Sequence, residues 1–196
     1  MSKTVDFYFD LGSPATYLAY TQLPMICTQT DSQLNYKPIL LGGVFKATGN
    51  ASPATVPAKG RYMFQDLDRY ARRYGVPLKI NPHFPINTLM LMRAVTGMQL
   101  RHPARFQEFT DCLFKALWVE GHDLNDPATV ASVLTQNGFD PTKVLALSAD
   151  ENVKNLLKDN TEKAVQRGVF GAPSMFVADE LFFGQDRLDF VLEALR

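Results

Sequence analysis

The chain has 196 residues, and its 20 basic and 20 acidic side chains cancel, so the charge gives no argument for binding nucleic acid or an anionic membrane. With 46% hydrophobic and 20% charged residues, the composition is that of an ordinary globular protein of one large domain or two small ones. The first segment, MSKTVDFYFD, lacks the apolar core of a signal peptide, and no apolar run approaches the ~20 residues of a membrane helix, so we expect a cytoplasmic protein.

The N-terminal part of the chain predicts a β-α-β unit. Residues 4–10, TVDFYFD, are strongly apolar and predict a strand. Ser13, which precedes a proline, is typical of a helix N-cap, and the helix is predicted over residues 14–30. Pro24 is expected to kink or restart this helix, because proline removes an internal hydrogen bond. A second strand over residues 34–40 completes the unit and predicts a parallel pair.

The next part of the chain alternates between irregular and helical patterns. Residues 42–60, GGVFKATGNASPATVPAKG, are rich in Gly, Pro, Ala and Thr and predict a long loop or broken turns. Loops of that length in compact domains are usually functional or disordered. Residues 61–75 place apolar and aromatic residues at helical spacing and stop at Gly75. Residues 76–89 hold three prolines and predict a second irregular connector.

The remainder is predicted to be helical as far as Gly168 and then to return to β structure. Asp126 and Asp140, each followed by proline, are start signals for two of the helices. Residues 173–184 predict two short strands around a turn, and the last residues place apolar side chains on one face of a helix. The predicted helices cover residues 86–98, 103–119, 127–136, 141–147 and 149–167.

This order of elements predicts an α/β protein with a helical insertion. A β-α-β unit, a helical block and a final β-β-α unit, with a proline before the third strand, make the thioredoxin arrangement. We therefore predict a thioredoxin-like domain from residues 1–42 and 168–196, together with the preceding helix over 149–167. Residues 43–148 are predicted to form a large all-helical insertion domain.

The cysteines and histidines give no sign of redox or metal chemistry. Redox thioredoxins carry C-x-x-C at the start of the first helix, where this chain has Ser-Pro-Ala-Thr. Cys27 and Cys112 are far apart in the sequence, and neither lies at a predicted helix start. A thiol-disulfide oxidoreductase would have to use one of them, and it remains only as an alternative. The three histidines are scattered, so we expect no metal.

Four segments, in order along essentially the whole chain, carry a resemblance to a known family. They are FYFDLGSPATYLA, GNASPATVPAKGRYM, VFGAPSMFV and FFGQDRL. The chain resembles the glutathione-dependent branch of the DsbA-like proteins, namely 2-hydroxychromene-2-carboxylate isomerases and kappa-class glutathione transferases. The resemblance implies glutathione as cofactor, a small electrophilic or aromatic substrate, and a homodimer.

The resemblance assigns the catalytic place to Ser13. A serine hydroxyl and the free N–H groups of a helix start, together with the helix dipole, favour a negative charge in front of them. The thiol of glutathione would be shifted toward thiolate there, so Ser13 is expected to donate to sulfur rather than to act as a nucleophile. The sequence has no signature of a Ser-His-Asp triad.

The resemblance also implies the residues that hold glutathione. Ala172 is expected to precede a cis bond to Pro173 and to pair with the peptide through its backbone. Gln185 and Asp186 are expected to hold the γ-glutamyl end, where a carboxylate suits an ammonium group, although Asp186 also fits a helix N-cap. The other implied contacts come from Asn50, Lys59, Phe183 and Gly184.

The second substrate is less well defined. The isomerases carry a lysine after the second strand and a tyrosine in the proline-rich connector, where this chain has Phe45 and Phe84. With Trp118 these rings predict an apolar substrate pocket, or equally a part of the core. Our leading hypothesis is a glutathione-dependent isomerase. The alternatives are a glutathione transferase, a thiol-disulfide oxidoreductase and a non-enzymatic glutathione-binding protein.

Overall fold

The computed structural model describes residues 2–196, and a four-stranded mixed sheet lies at its centre. Strand β1 (Thr4–Phe9) is connected to β2 (Gln33–Pro38) by helix α1 (Pro14–Gln29), and the two strands pair in parallel. On its other side β1 pairs antiparallel with β3 (Ser174–Val177), which forms a hairpin with β4 (Glu180–Phe183). The strand order β2-β1-β3-β4 confirms the predicted thioredoxin-like arrangement.

The second half of strand β1, residues 7–9, is apolar and buried because both faces of the sheet are covered there. Successive side chains of a strand point to opposite faces. Phe7 and Phe9 belong to the main core, together with residues of α1, whereas Tyr8 packs with Phe176 in a second, smaller core on the other side. A strand that is buried on both faces has a continuous apolar run rather than an alternating one, as residues 7–9 show.

The first half of the predicted loop at 42–60 is helical, which corrects the sequence-based expectation. Helix α2 (Leu41–Thr48) ends at Gly49, and after a 3₁₀ turn (Pro53–Thr55) helix α3 (Pro57–Tyr74) begins. Val44 is fully buried in the second core, and a Cβ on Gly43 would lie 3.2 Å from Thr161 Cγ2. Tertiary packing of this face therefore outweighs the low helix propensity of two glycines.

Six further helices complete the chain, and the predicted start signals are confirmed. Asp126 and Asp140 accept hydrogen bonds from the first amides of the helices that follow them. Helix α1 continues past Pro24, so the predicted restart is wrong. No helix among residues 2–196 is long and apolar enough to cross a membrane. The helices are α4 (Leu89–Arg101), α5 (Phe106–Lys115, continued by a π-helical turn Ala116–Glu120), α6 (Pro127–Gln136), α7 (Pro141–Ala149), α8 (Glu151–Gln166) and α9 (Leu188–Leu195).

The insertion packs directly against the thioredoxin-like part. Phe9 of β1 contacts Phe114 of α5, and Tyr36 of β2 contacts Phe106, with ring centroids 6.3 and 5.4 Å apart. The connector over 75–88 has no regular element, as predicted. The division of the chain into 1–42 with 149–196, and 43–148, stays a prediction.

Candidate active site

A large cleft of 1240 Å³ lies between several segments of the chain. The start of α1, the loop before β3 and the segment after β4 line it together with α3 and the proline-rich connector. Chain segments far apart in the sequence meet there, and they include every residue implied for glutathione binding. The predicted residues that line it are Ser13, Phe45, Asn50, Lys59, Phe84, Ala172, Pro173, Phe183, Gly184, Gln185 and Asp186.

Ser13 caps helix α1 and also lies in the cleft. Its backbone is extended, and its Oγ accepts a hydrogen bond from the Thr16 amide at 3.2 Å. The same hydroxyl donates to the carbonyl oxygen of Ala172 at 2.9 Å. The cap and the contact with the loop before β3 therefore coexist, and the side chain stays largely buried.

The peptide bond between Ala172 and Pro173 is cis, which confirms the expectation. The carbonyl oxygen of Pro173 accepts from the Gly184 amide at 3.0 Å, so this loop is joined to the segment after β4. A Cβ on Gly171 would lie 2.7 Å from Phe183 Cε2, so a larger residue there would have to displace that ring. A second cis bond, Phe84–Pro85, lies across the cleft, and the sequence analysis did not anticipate it.

The segment after β4 forms a 3₁₀ turn (Gln185–Arg187) rather than a capped helix start. Asp186 lies inside this turn, so its interpretation as a helix N-cap is wrong. Gly184 has φ +105°, and a Cβ there would collide with Asp186 Oδ1. Helix α3 holds this turn, because the Tyr74 hydroxyl donates to the Gln185 carbonyl at 2.6 Å.

Arg187 is a cleft residue that the sequence analysis missed. Its Nη1 lies 2.7 Å from Asp186 Oδ2, and both side chains are partly exposed to solvent. A carboxylate and a guanidinium side by side complement the ammonium and carboxylate groups of an α-amino acid. The signal was its position next to Asp186 in the segment FFGQDRL.

Asn50 and Lys59 lie on the exposed side of the cleft. The Asn50 amide group donates to the Phe170 carbonyl at 2.8 Å, which joins the segment after α2 to the loop before β3. Lys59 lies in the first turn of α3 and brings a positive charge to the cleft wall. Both residues line the same cleft as the Asp186–Arg187 pair.

Phe45 and Phe84 are apolar residues of the cleft lining, as predicted, but the structure places Trp118 in the core instead. Trp118 is completely buried and does not line the cleft. Its indole Nε1 donates to the Leu11 carbonyl at 2.8 Å, and its ring centroid is 6.2 Å from that of Phe84. It therefore packs against Phe84, which lines the cleft, without lining the cleft itself.

Asp10 is a second cleft residue that the sequence analysis missed. It directly follows β1 and is completely buried, yet it borders the cleft. Burial raises the pKa of its carboxyl group, while hydrogen bonds from the Gly12 and Leu41 amides and from the Thr88 side chain stabilise the ionised form and limit the rise. An acidic residue at the end of an apolar strand, close before Ser13, was the available signal.

The cysteines lie outside the cleft. Both are buried, and burial raises the pKa of Cys27 to about 11 and that of Cys112 to about 12. Since the thiolate is the reactive form, neither is suited to disulfide exchange near neutral pH. No group of three or more His, Cys, Asp or Glu residues among 2–196 is arranged to hold a metal ion.

The mixed sheet, the cis-proline and the helix start that faces it define a thioredoxin-fold protein in which serine stands at the usual place of a reactive cysteine. A comparison with known families matches residues 4–196 to the DSBA-like thioredoxin domain. The chain belongs to this family.

Its relatives are enzymes of two related kinds. The chain is 33% identical over 193 residues to a 2-hydroxychromene-2-carboxylate isomerase of Sphingobium xenophagum, with 97% of each protein covered. It is 27% identical to human glutathione S-transferase kappa 1, covering 100% of this chain and 92% of the relative. A solved 2-hydroxychromene-2-carboxylate isomerase structure superimposes with a TM-score of 0.84 at 29% identity, covering 98% of this chain and 94% of the other. The protein is accordingly an enzyme.

Proposed function

We propose that the protein binds glutathione and uses its thiolate to isomerise a small conjugated aromatic substrate, as an isomerase of the 2-hydroxychromene-2-carboxylate isomerase type. The observation that carries the proposal is the contact between Ser13 Oγ and the Ala172 carbonyl, because it brings a helix start and a cis-proline loop to one point of the cleft. A homodimer in the cytoplasm remains part of this proposal.

The chemistry of the cleft fits glutathione. Glutathione has an α-amino acid at one end, a peptide backbone in the middle and a carboxylate at the other end. Asp186 and Arg187 complement the α-amino acid, and the backbone of Ala172 can pair with the peptide as an added strand would. Lys59 supplies a positive charge for the terminal carboxylate or the second substrate, and Asn50 can donate or accept a hydrogen bond.

The remaining residues implied for glutathione act through shape rather than charge. Gly184 brings the backbone close to the ligand without a side chain, and Phe183 packs on Phe170 with ring centroids 4.5 Å apart. Gln185 is held in place by Tyr74. At Ala172 only the backbone groups are used, so a small side chain is sufficient.

Ser13 and the start of α1 stabilise negative charge on the sulfur. The Ser13 hydroxyl has one proton to donate, which the Ala172 carbonyl accepts in the free protein. We propose that this proton turns toward the sulfur when glutathione binds, while the Thr16 amide still holds Oγ. When bound, glutathione supplies a thiolate that adds to a conjugated double bond, allows rotation about the resulting single bond, and leaves.

A glutathione transferase is the second candidate, and the apolar end of the cleft favours it. Phe45 and Phe84 line the cleft there and offer no charge to a carboxylated substrate. A transferase would use the same glutathione residues and release the sulfur adduct as its product. Product analysis distinguishes the two reactions, because only the isomerase regenerates glutathione.

Calorimetric titration of the protein with glutathione, followed by a turnover assay, tests the proposed function. We expect saturable binding and glutathione-dependent conversion of a conjugated substrate. Binding without turnover would favour the non-enzymatic alternative. A folded protein that binds no glutathione would contradict both.

We expect Asp186→Asn to weaken glutathione binding by roughly 1.5–3 kcal/mol, the range for hydrogen bonds to charged groups. Folding should be retained, because Asp186 caps no helix and its partly exposed ion pair with Arg187 contributes only about 0–1 kcal/mol to stability. Calorimetry measures the affinity. The matched control is Asp189→Asn, which changes an exposed carboxylate outside the cleft. Equal affinities of the two variants would remove Asp186 from the glutathione site.

We expect neither cysteine to react with a thiol reagent in the folded protein at pH 7 to 8. Burial keeps Cys27 and Cys112 protonated, since their pKa values of about 11 and about 12 lie far above that pH. Time-resolved labelling with and without denaturant measures the difference. Rapid labelling of either thiol in the native state would restore the oxidoreductase alternative.

A further inference from the structure

Asp10 joins parts of the chain that are distant in sequence. Its Oδ1 accepts from the Gly12 amide at 2.8 Å, and its Oδ2 accepts from the Leu41 amide at 2.7 Å. Gly12 lies in the turn that leads to Ser13, and Leu41 is the first residue of α2. We propose that Asp10 is a positioning residue whose buried carboxylate fixes helix α2 and the proline-rich connector relative to Ser13. These two segments carry Phe45 and Phe84, which form the apolar half of the cleft, where the second substrate binds.

The segments that meet at Asp10 carry the apolar wall of the cleft. Helix α2 begins at Leu41 and carries Phe45. The end of the proline-rich connector approaches from the other side, because a Cβ on Gly12 would lie 3.0 Å from Thr88 Cγ2 and 3.8 Å from the Ile86 carbonyl oxygen. The connector carries Phe84, so a shift at Asp10 would move both aromatic walls.

A carboxylate is chemically suited to this junction. Two backbone amides from different segments donate to one completely buried side chain, and a carboxylate offers an oxygen to each of them. An asparagine offers one oxygen and one NH₂ group, so one of the two amides would face another donor. The buried charge is held by backbone amides, and an uncompensated buried charge is expensive. The arrangement is therefore specific to an acid at position 10.

The role proposed for Asp10 concerns binding of the second substrate and not binding of glutathione. The Asp10 carboxylate makes no hydrogen bond to Ala172 or Asp186, and the Ser13 side chain, which follows Gly12, is held by Ala172 and Thr16 instead. Loss of the carboxylate should consequently weaken binding at the apolar half and leave glutathione affinity nearly unchanged. The second substrate as such rests on the proposed function, but the apolar half can be probed without glutathione.

The test compares Asp10→Asn with Asp6→Asn. Asp6 lies on β1, which Asp10 directly follows, and its carboxylate likewise accepts two hydrogen bonds, from Asn35 at 2.8 Å and Arg167 at 2.6 Å, but outside this cleft. The first probe is the neutral dye N-phenyl-1-naphthylamine, whose binding is measured by its fluorescence. The second is turnover of glutathione with 1-chloro-2,4-dinitrobenzene, in which sulfur bonds to the ring carbon, chloride leaves and the thiol proton passes to solvent.

For Asp10→Asn we expect dye affinity to fall and the KM for the dinitrobenzene to rise by about tenfold, since small misplacements near reacting groups have effects of this order or larger. Glutathione affinity should stay within about twofold, and Asp6→Asn should change none of these values. Unchanged dye affinity and KM in a folded Asp10→Asn protein would overturn the proposal. So would a parallel loss of glutathione affinity, because Asp10 would then support the whole cleft.

Thr88→Val keeps the proposal testable if Asp10→Asn does not fold. It removes the hydroxyl beside the carboxylate and retains the packing of Cγ2 against Gly12. We expect a smaller loss of dye affinity in the same direction, with unchanged glutathione affinity, and no loss would count against the proposal. If the wild-type protein binds the dye but not glutathione, the proposed function fails while the role of Asp10 is still decided by the dye.

Discussion

Replacing Ser13 by alanine is expected to slow turnover by roughly 2–4 kcal/mol, by comparison with the loss of one donor to a developing anion in other enzymes. Removal of the N-cap should also lower the free energy of unfolding by about 0.5–2 kcal/mol, since Oγ no longer accepts from the Thr16 amide. The pKa of the thiol in bound glutathione should rise, because one donor to the charged form is lost. Ultraviolet titration of the bound thiolate, beside a turnover assay, measures both effects.

Asp140→Ala is the matched control for this variant. Asp140 caps α7 as Ser13 caps α1, but it does not line the cleft. It should show a similar loss of stability with unchanged turnover and an unchanged titration curve. If Ser13→Ala behaves in the same way as Asp140→Ala, then Ser13 is a helix cap and nothing more. Ser13→Cys offers a direct probe of position, because a thiol facing the ligand can exchange with glutathione disulfide to form a mixed disulfide and release one glutathione.

Trp118→Ala is expected to lower the free energy of unfolding by about 3–5 kcal/mol, the range for removing a large buried aromatic side chain. Trp118 is completely buried, and its indole donates to the Leu11 carbonyl in the turn that precedes Ser13. The variant therefore loses packing and also leaves a buried carbonyl without that donor. Chemical denaturation monitored by circular dichroism measures the change. Tryptophan fluorescence cannot be used for this variant, because Trp118 is the only tryptophan of the chain.

Trp118→Phe separates support of the cleft from contact with a substrate. It retains an aromatic ring beside Phe84 and removes the Nε1 donor, so we expect a smaller loss of about 1–3 kcal/mol for the unpaired carbonyl. Because Trp118 does not line the cleft, the free energy of unfolding should fall while the KM for the second substrate stays nearly unchanged. A large change of KM at full stability would return Trp118 to the substrate pocket.

The sequence by itself determined the elements whose signals are local. The apolar run of β1, the serine and aspartate caps, and the alternation of proline-rich and helical segments each depend on neighbouring residues. Ser13 could be recognised as a cap because a hydroxyl followed by proline favours a helix start in any protein. The resemblance carried by four short segments then brought together residues that the structure does place in one cleft.

Only the tertiary structure decided the features that depend on distant contacts. Helix α2 forms despite its glycines because Val44 is buried in the second core, and Asp186 lies in a turn held by Tyr74 of α3. Trp118 belongs to the core because its indole meets a carbonyl more than a hundred residues away. Asp10 likewise acquires its role from amides on two segments that meet only in the folded chain. Packing free energy and the pairing of buried polar groups depend on three-dimensional neighbours, which local sequence patterns do not contain.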